Sequence, residues 1–415
     1  MGYEGYGLKI PDEPTEEWSN WDNTELMFED YWWVEAINKC YDKKFGLYYL
    51  ASLCSNENRL KIMHDIVDCK FDFGIPKIVE IPKDDGGVRQ VYVLDKDKRF
   101  IGNVLCQIYN WKYKNLISNN CESYQKNKST SRTVKEIKNL GLKGVKVDIS
   151  KYFDNVSRET INKYLDLLDS DSPVDLAVRK FYNTDLVEIN GEVVEKYKGI
   201  CQGSPLSSFL SNIILRDIDD KLSSMCIEYK RYSDDILALG CDTDEVLKVL
   251  NEELPKLGLS LNPNKVEILN GEKEFTFLGY GICGKDIILS KKSFNKKKKQ
   301  IKSICKGKGS LRSKILKINR LFYLGKDEFT NWAYPKFKTL TNFDRVKELD
   351  EYAKDCLRWS VTGRWNYNHN KNKVPDEVLR KNGYTSLIHM KNVANMNKEL
   401  WLDAVSMVLK GISVN

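Results

Sequence analysis

Histidine is nearly missing from this chain: His64, His369 and His389 are the only three in 415 residues. Eleven cysteines lie between Cys40 and Cys356, yet no two stand in a Cys-x-x-Cys pair. A zinc ribbon, a thioredoxin-type motif, an HNH-type nuclease and a histidine-rich metal centre are thereby disfavoured. The cysteines read instead as small buried hydrophobes of a reducing compartment. No apolar run approaches the roughly 18 residues that a membrane-spanning helix needs. The opening "MGYEGYGLKIPDEPTEEW" lacks the basic-then-apolar order of a signal peptide. Gly2 invites myristoylation, but Tyr6 stands where that motif asks for Ser or Thr. The expected location is the cytoplasm, with no membrane partner, and any chemistry must rest on carboxylates.

One further absence is local. From Lys291 to Arg320, "KKSFNKKKKQIKSICKGKGSLRSKILKINR" has 13 basic residues and no acid. The whole chain carries only +7, so the remainder is net acidic. A mildly acidic body with one intensely basic segment reads as a grip for a polyanion. Phe294, Ile301, Ile304, Leu311 and Ile315 recur at helical spacing through it, which turns the lysines outward. A hydrophobic content of 41% with 30% charge is that of a globular protein able to bury a large core.

Elements follow from periodicity. Residues 24–69 read as helical. "PKIVEIPKDDGGVRQVYVL" is two β-rich runs around Asp85-Gly86-Gly87, a hairpin signal. A helix is expected over 97–117, and a strand in "GVKVDIS", where Val145, Val147 and Ile149 alternate with Lys146 and Asp148. Asn190-Gly191 marks a second hairpin. "QGSPLSSFLSNIILRDIDDKL" reads as one helix. Strand-turn-strand over 228–240, a helix over 244–257 and two strands over 265–282 complete an α+β body. An all-helical remainder begins near 292.

"RYSDDILALG" places Asp234 beside Asp235 between β-rich runs, at a tight turn. Two adjacent like charges are kept together where water or a cation takes up the charge. A third acid, Asp148, ends the alternating strand. Three acids on adjacent strand ends suit two Mg²⁺ ions about 3.5–4 Å apart, the arrangement of two-metal phosphoryl transfer.

At this point the chain resembles a prokaryotic reverse transcriptase of the group II intron-related branch. "VDISKYFDNV" is similar to its first palm motif, "GICQGSPLSSFLSNIIL" to the template-contacting loop and helix, and "RYSDDILAL" to the catalytic hairpin. "LGLSLNPNKVEIL" and "FTFLGYGI" are similar to the later palm motif and the primer grip, and "IPKDDGGVRQVYVLDKDKRF" to the fingers hairpin. The resemblance implies a right-hand polymerase, with fingers and an antiparallel palm sheet followed by an α-helical thumb and C-terminal helices. Its implied bounds are an N-terminal helical extension (1–70), fingers (71–141), palm (142–289, with an inserted fingers segment near 173–198), basic thumb (290–341) and C-terminal segment (342–415). It implies catalysis by Asp148, Asp234 and Asp235, with the Ile149 carbonyl joining them around two Mg²⁺. Lys83, Arg89, Phe153, Gln202, Gly203 and Lys265 are implied for the incoming dNTP, Phe153 as a steric gate and Lys265 as a proton donor to pyrophosphate. Phe277, Leu278, Gly279 and Tyr280 are implied as the primer grip. Lys296, Lys297, Lys298, Lys299, Lys302 and Lys306 are implied as contacts to the nucleic-acid backbone. For Phe153 a core aromatic, and for Lys265 a surface lysine, stand as the plain alternatives.

The subtype follows partly by elimination. No zinc-containing nuclease pattern is present, a retron-type Val-Thr-Gly is missing at "FLGYGI", and the Gln-Gly of "CQGSPLS" is intact. What remains resembles stand-alone defence-associated, unknown-group or abortive-infection reverse transcriptases. These imply a structured noncoding RNA template, a primer or cDNA product and dNTPs as partners. Untemplated synthesis primed from a protein hydroxyl, a retron or group II-type enzyme, and an RNA-binding scaffold with vestigial catalysis are the alternatives.

Overall fold

A computed structural model describes residues 13–40, 46–82, 86–168, 171–325 and 329–414. The chain divides into two compact units: residues 1–128 with 145–268, and residues 129–144 with 269–415. Residues 275–289 fall within the expected palm bounds, and packing gives them to the second unit.

In the first unit, β1 (Lys77–Pro82) and β2 (Val88–Val93) pair antiparallel, from Lys77 opposite Val93 to Pro82 opposite Val88. β3 is Gly144–Asp148. β4 (Leu186–Ile189) and β5 (Glu192–Glu195) turn at Asn190-Gly191, both at positive φ as the tight turn requires. β1 also pairs in parallel with β4, Lys77 opposite Glu188, so hairpins separated by about a hundred residues make one sheet, ordered β2-β1-β4-β5. A second sheet joins β6 (Glu228–Tyr232), β7 (Asp235–Leu239), β3 and β8 (Glu267–Leu269) in the order β6-β7-β3-β8.

Helices pack around these sheets. The Lys96–Lys112 helix buries Phe100, Ile101, Val104, Leu105 and Ile108, the face its spacing predicts. Against it lies the Asp30–Cys40 helix, which buries Trp32, Trp33, Ala36 and Ile37. The stretch expected as one helix after Gln202 is two, Pro205–Ile213 and Arg216–Met225. No glycine or proline separates them. The carbonyls of Ser211 and Asn212, near the break, are taken by the Arg231 guanidinium at 3.3 and 2.8 Å, and Tyr152 also donates to Ser211 at 2.7 Å.

The second unit opens its sheet with β9 (Phe275–Phe277), β10 (Tyr280–Cys283) and β11 (Asp286–Leu289), ordered β11-β10-β9. The expected two strands over 265–282 are three, and they belong to different sheets. Helices follow, among them Lys291–Lys306, Leu311–Tyr323, Asp344–Thr362, Tyr367–Lys373 and Lys398–Leu409. Ile301, Ile315, Ile318, Leu349 and Trp401 are fully buried among them. Buried Asp350 accepts from Tyr384, Ser386 and the Leu387 amide at 2.8–3.0 Å, tying the Asp344–Thr362 helix to the 384–387 stretch. Seven of the eleven cysteines are buried and Cys69 alone is exposed, as composition predicted. No helix of the described residues is long and apolar enough to cross a membrane.

Candidate active site

The acids are positioned by backbone first. β3 ends at Asp148, and the next amide, Ile149, donates to the Asp234 carbonyl at 3.1 Å. The Asp148 carbonyl accepts from the Asn262 amide at 2.8 Å, and Ile149 bridges Leu261. Asp148 and Asp234 are therefore neighbours held by main-chain bonds. Ser233, at φ 59°, makes the tight turn between β6 and β7, and Asp235 begins β7 opposite Tyr232.

The turn is anchored from beneath. Arg231 is wholly buried and donates from Nε and Nη2 to both oxygens of buried Asp219, at 2.7 and 2.6 Å. Tyr229 donates to the same carboxylate at 2.8 Å. Burial opposes the Arg231 charge, but Asp219 beside it wins and holds the guanidinium protonated well above its ordinary range. Ser123 receives the Ser233 amide at 3.0 Å and donates to Asn212 at 2.8 Å. None of this clamp is marked by a motif of its own. Its one sequence signal is a charged residue, Arg231, at a position of β6 that points inward.

A cleft of about 590 Å³ lies over the acids, lined by Asp148, Ile149, Phe153, Asp234, Gln202, Arg89 and Lys265, among others. Burial, then the Asp148 charge, pushes the Asp234 carboxyl above its ordinary value. Burial, then Asp234 and Asp148, pushes Asp235 up to about 6. A cation beside them would favour their ionised form. Lys265 supplies one charge: its ammonium meets Asp148 at 2.6 Å, and although burial works against it, that hydrogen bond and the Asp148 charge raise its pKa. Among the described residues no three carboxylate, thiol or imidazole side chains already form a metal cage. The donors nevertheless fit a hard divalent cation: they are oxygens only, adjacent and mutually repelling, with Asp148 held by a lysine that a metal would displace.

Other expected residues fall as follows. Arg89, on β2, is exposed, has no ion-pair partner among the described residues and lies near enough to Asp234 to favour its ionised form. Lys83 lies outside the described residues. Phe153 is half-buried in the Tyr152–Asn155 turn of helix, its ring edge-on to Tyr152 and facing the cleft. Gln202 reaches the cleft. Gly203 does not line it: at φ 108° a side chain there would stand 2.6 Å from Val91 and 2.8 Å from the Tyr92 carbonyl. The close approach that requires glycine is to strand β2. Lys151, which no motif singled out, also lines the cleft, in the left-handed region at φ 44°.

In the second unit Phe277 and Tyr280 are buried, and Leu278-Gly279 forms the turn between them at φ 48° and 79°. Lys336 covers the Tyr280 ring at 3.2 Å and donates to the Gly279 carbonyl at 3.0 Å. On the Lys291–Lys306 helix, Lys296, Lys299, Lys302 and Lys306 are exposed. Lys297 is a correction. It is buried, donates to the Leu321 carbonyl at 3.1 Å and lies over Trp332, so it faces the unit's core rather than a polyanion. Lys298 is half-buried over Tyr352 and approaches Glu348 at 3.6 Å.

An acid at the end of one strand beside acids on an antiparallel hairpin, with helices packed beneath, defines the palm of a nucleic-acid polymerase. Residues 81–282 match the family described as reverse transcriptase (RNA-dependent DNA polymerase), and this stretch is a reverse transcriptase domain. The chain is 26% identical over 283 residues to the COX1/OXI3 intron 1 protein of Saccharomyces cerevisiae, covering 54% of this chain and 34% of that one. It is 23% identical over 286 residues to the intron 2 protein of the same yeast, with the same coverage. The chain thus spans about a third of the length of these relatives. Among solved structures, the RNA-dependent RNA polymerase of a human picobirnavirus is similar with a TM-score of 0.45 and 13% identity, over 74% of this chain and 60% of that one. A chain of a partial Cas6-RT-Cas1–Cas2 complex is similar with a TM-score of 0.33 and 20% identity, over 57% and 42%.

Proposed function

We propose that this protein is an RNA-directed DNA polymerase that extends a 3′-hydroxyl with dNTPs, copying a structured noncoding RNA in bacterial defence against phage. The observation that carries the polymerase activity is the backbone-locked pair Asp148 and Asp234 in a cleft that also presents Arg89, Phe153 and Gln202, with Asp235 next in the chain at the start of β7. Asp148, Asp234, Asp235 and the Ile149 carbonyl would hold Mg²⁺, which lowers the pKa of the attacking hydroxyl and neutralises the departing pyrophosphate.

The chain's own side chains do the rest. Arg89, exposed and without an ion-pair partner among the described residues, meets the triphosphate from the fingers strand. Phe153 limits the room beside the sugar, which favours deoxyribose. Lys265, whose ammonium stands 2.6 Å from Asp148, would be the proton donor to pyrophosphate. The RNA-partner reading is supported by an exposed surface of the second unit. Trp359 and Trp365 stack there at 5.3 Å and 10°, beside exposed Tyr367, Arg364, Lys371 and Lys373.

Primer extension on an RNA template tests the activity. Asp234→Asn with Asp235→Asn is expected to lower extension at least about 10²–10³-fold, and chelation of divalent ions to abolish it. Sequencing of nucleic acid that copurifies with wild type and with the double variant tests the template. One defined RNA in both, with complementary DNA in wild type alone, supports a dedicated template. DNA without complementary RNA assigns untemplated synthesis and sinks that reading.

A further inference from the structure

Beyond the matched family region, the Asp344–Thr362 helix turns into the short Tyr367–Lys373 helix. Gly363 makes the turn at φ 72°, its amide bonded to the Trp359 carbonyl at 2.8 Å. Asn370 is buried and donates to the Arg364 carbonyl at 2.6 Å, and Asn366 accepts from the His369 amide at 3.0 Å. The loop that carries Trp365 is thus tied down on both sides. Its indole lies flat on that of Trp359, with centroids 5.3 Å apart and planes 10° from parallel. Even so, Trp365 is 55% exposed and Tyr367 is 54% exposed. Large rings held together at a surface mark an interaction site.

Charge narrows the partner. No acid occurs between Trp359 and Pro375, while Arg364, Lys371 and Lys373 are exposed there. Arg364 and Lys373 have no ion-pair partner among the described residues, and Lys371 leans over the Tyr367 ring at 5.4 Å. The acids that flank this segment in sequence are already held. Glu351 meets Lys354 at 2.7 Å, Asp355 meets Arg358 at 3.0 Å, and Asp376 meets Arg358 from the other side. Unanswered cations around flat, open rings suit a strand in which phosphates alternate with bases.

A second observation comes from the helix that carries Trp359, which also packs against the lysine-rich Lys291–Lys306 helix. Lys298 covers Tyr352 at 4.5 Å, and Lys302 lies close enough to Cys356 to favour its ionised form. Tyr352 and Trp359 stand two helical turns apart and so share a face. The basic helix and the stacked indoles therefore lie along one helix of one unit. A grip for a sugar–phosphate backbone beside a stacking face for bases matches the junction between a paired and an unpaired strand.

We propose that this face binds an unpaired stretch of a folded RNA, with one base stacked on Trp365 and its phosphates toward Arg364 and Lys373. The adjoining duplex lies on the exposed lysines of the Lys291–Lys306 helix. None of the loop residues lines the carboxylate cleft, so this is a holding site and not part of the catalytic one. RNA as the occupant rests on the RNA-partner reading above; capture of an unpaired strand does not. A DNA strand shares the chemistry and is the other source.

The test uses the full chain as wild type, Trp365→Ala, Trp365→Phe, and Arg364→Gln combined with Lys373→Gln, each checked by a melting curve. All three positions are exposed. Should Trp365→Ala fail to fold, the charge variant decides alone. The probes are an RNA hairpin with flush ends, the same hairpin with an unpaired tail of about six nucleotides, that tail stripped of its bases, and a DNA tail of the same sequence. Wild type is expected to prefer the base-bearing RNA tail to the abasic one. Trp365→Ala should bind that tail about 5- to 150-fold more weakly, with flush-hairpin binding unchanged, and Trp365→Phe should recover most of the loss. The charge variant should lower the slope of log affinity against log salt for the tailed hairpin by about 1–1.5. A loss confined to the DNA tail assigns DNA as the occupant and removes RNA from this face. Equal binding of every probe by wild type and all variants overturns the site. If light scattering then shows a smaller mass for Trp365→Ala than for wild type, the face belongs to a second copy of the chain. A tail preference kept by a wild type that extends no primer would defeat the polymerase reading alone.

Discussion

Arg231 shows what a single residue does here. It belongs to the same short motif as Asp234 and Asp235, yet it touches no cleft: it is buried beneath the turn, its five N–H groups directed at Asp219 and at the carbonyls of Ser211, Asn212 and Ser233. Removing one partner of such a pair strands a buried charge, at a cost of about 3–5 kcal/mol. Arg231→Met is therefore expected to lower unfolding stability by that amount in urea titrations. A loss below about 1 kcal/mol would show the clamp to be dispensable. Gly203 makes the complementary case, through what it lacks. Gly203→Ala forces a methyl group into Val91 and the Tyr92 carbonyl at positive φ. It should destabilise by about 1–3 kcal/mol and weaken dNTP binding by displacing β2, which carries Arg89. Normal melting with normal KM for dNTP would contradict this.

Among elements, the Lys291–Lys306 helix is the one whose parts differ most from the simple pattern. A run of four lysines must cover more than one full turn of a helix, so not all can face water. Phe294, Ile301 and Cys305 define the buried stripe, and Lys297 falls on it. Burial, with Lys296 adding to it, lowers the Lys297 pKa to about 8. Below that pH the folded protein holds a charge it would release more readily than the unfolded chain does. Stability therefore rises with pH from about 8 toward the unfolded lysine value near 10.4, because the unfolded state binds more protons there. Lys297→Met is expected to stabilise at pH 7 by on the order of 1 kcal/mol. The gap to wild type should close between pH 8 and 10. A gap independent of pH would show that Lys297 is not the titrating group.

For the molecule as a whole, charge would decide how the proposed polymerase meets nucleic acid. Binding that depends on the exposed lysines releases counterions, so affinity falls steeply with salt. Replacing Lys296, Lys299 and Lys302 by glutamine is expected to reduce the slope of log affinity against log salt by about 2–3. Extension at saturating primer–template should be preserved. Lys297→Gln in the same titration should leave the slope unchanged, which separates surface lysines from the buried one. Equal slopes for the triple variant and wild type would place the polyanion elsewhere on the chain.

Much was legible in the chain alone, because it depended on local chemistry. The alternation of Val145 and Val147 predicts β3, Asn190-Gly191 and Asp85-Gly86-Gly87 predict hairpins, and paired aspartates at a turn point to a cation whatever surrounds them. Motif order supplied the polymerase palm. Other features are set by groups far apart in sequence, and periodicity carries no information about them. The parallel pairing of β1 with β4, the break between Ile213 and Arg216 beneath Arg231, and the inward turn of Lys297 are of this kind. Sequence determined which residues could hold charge, turn or alternate. Only tertiary structure decided which of them met, because burial and hydrogen-bond partners are properties of the packed chain.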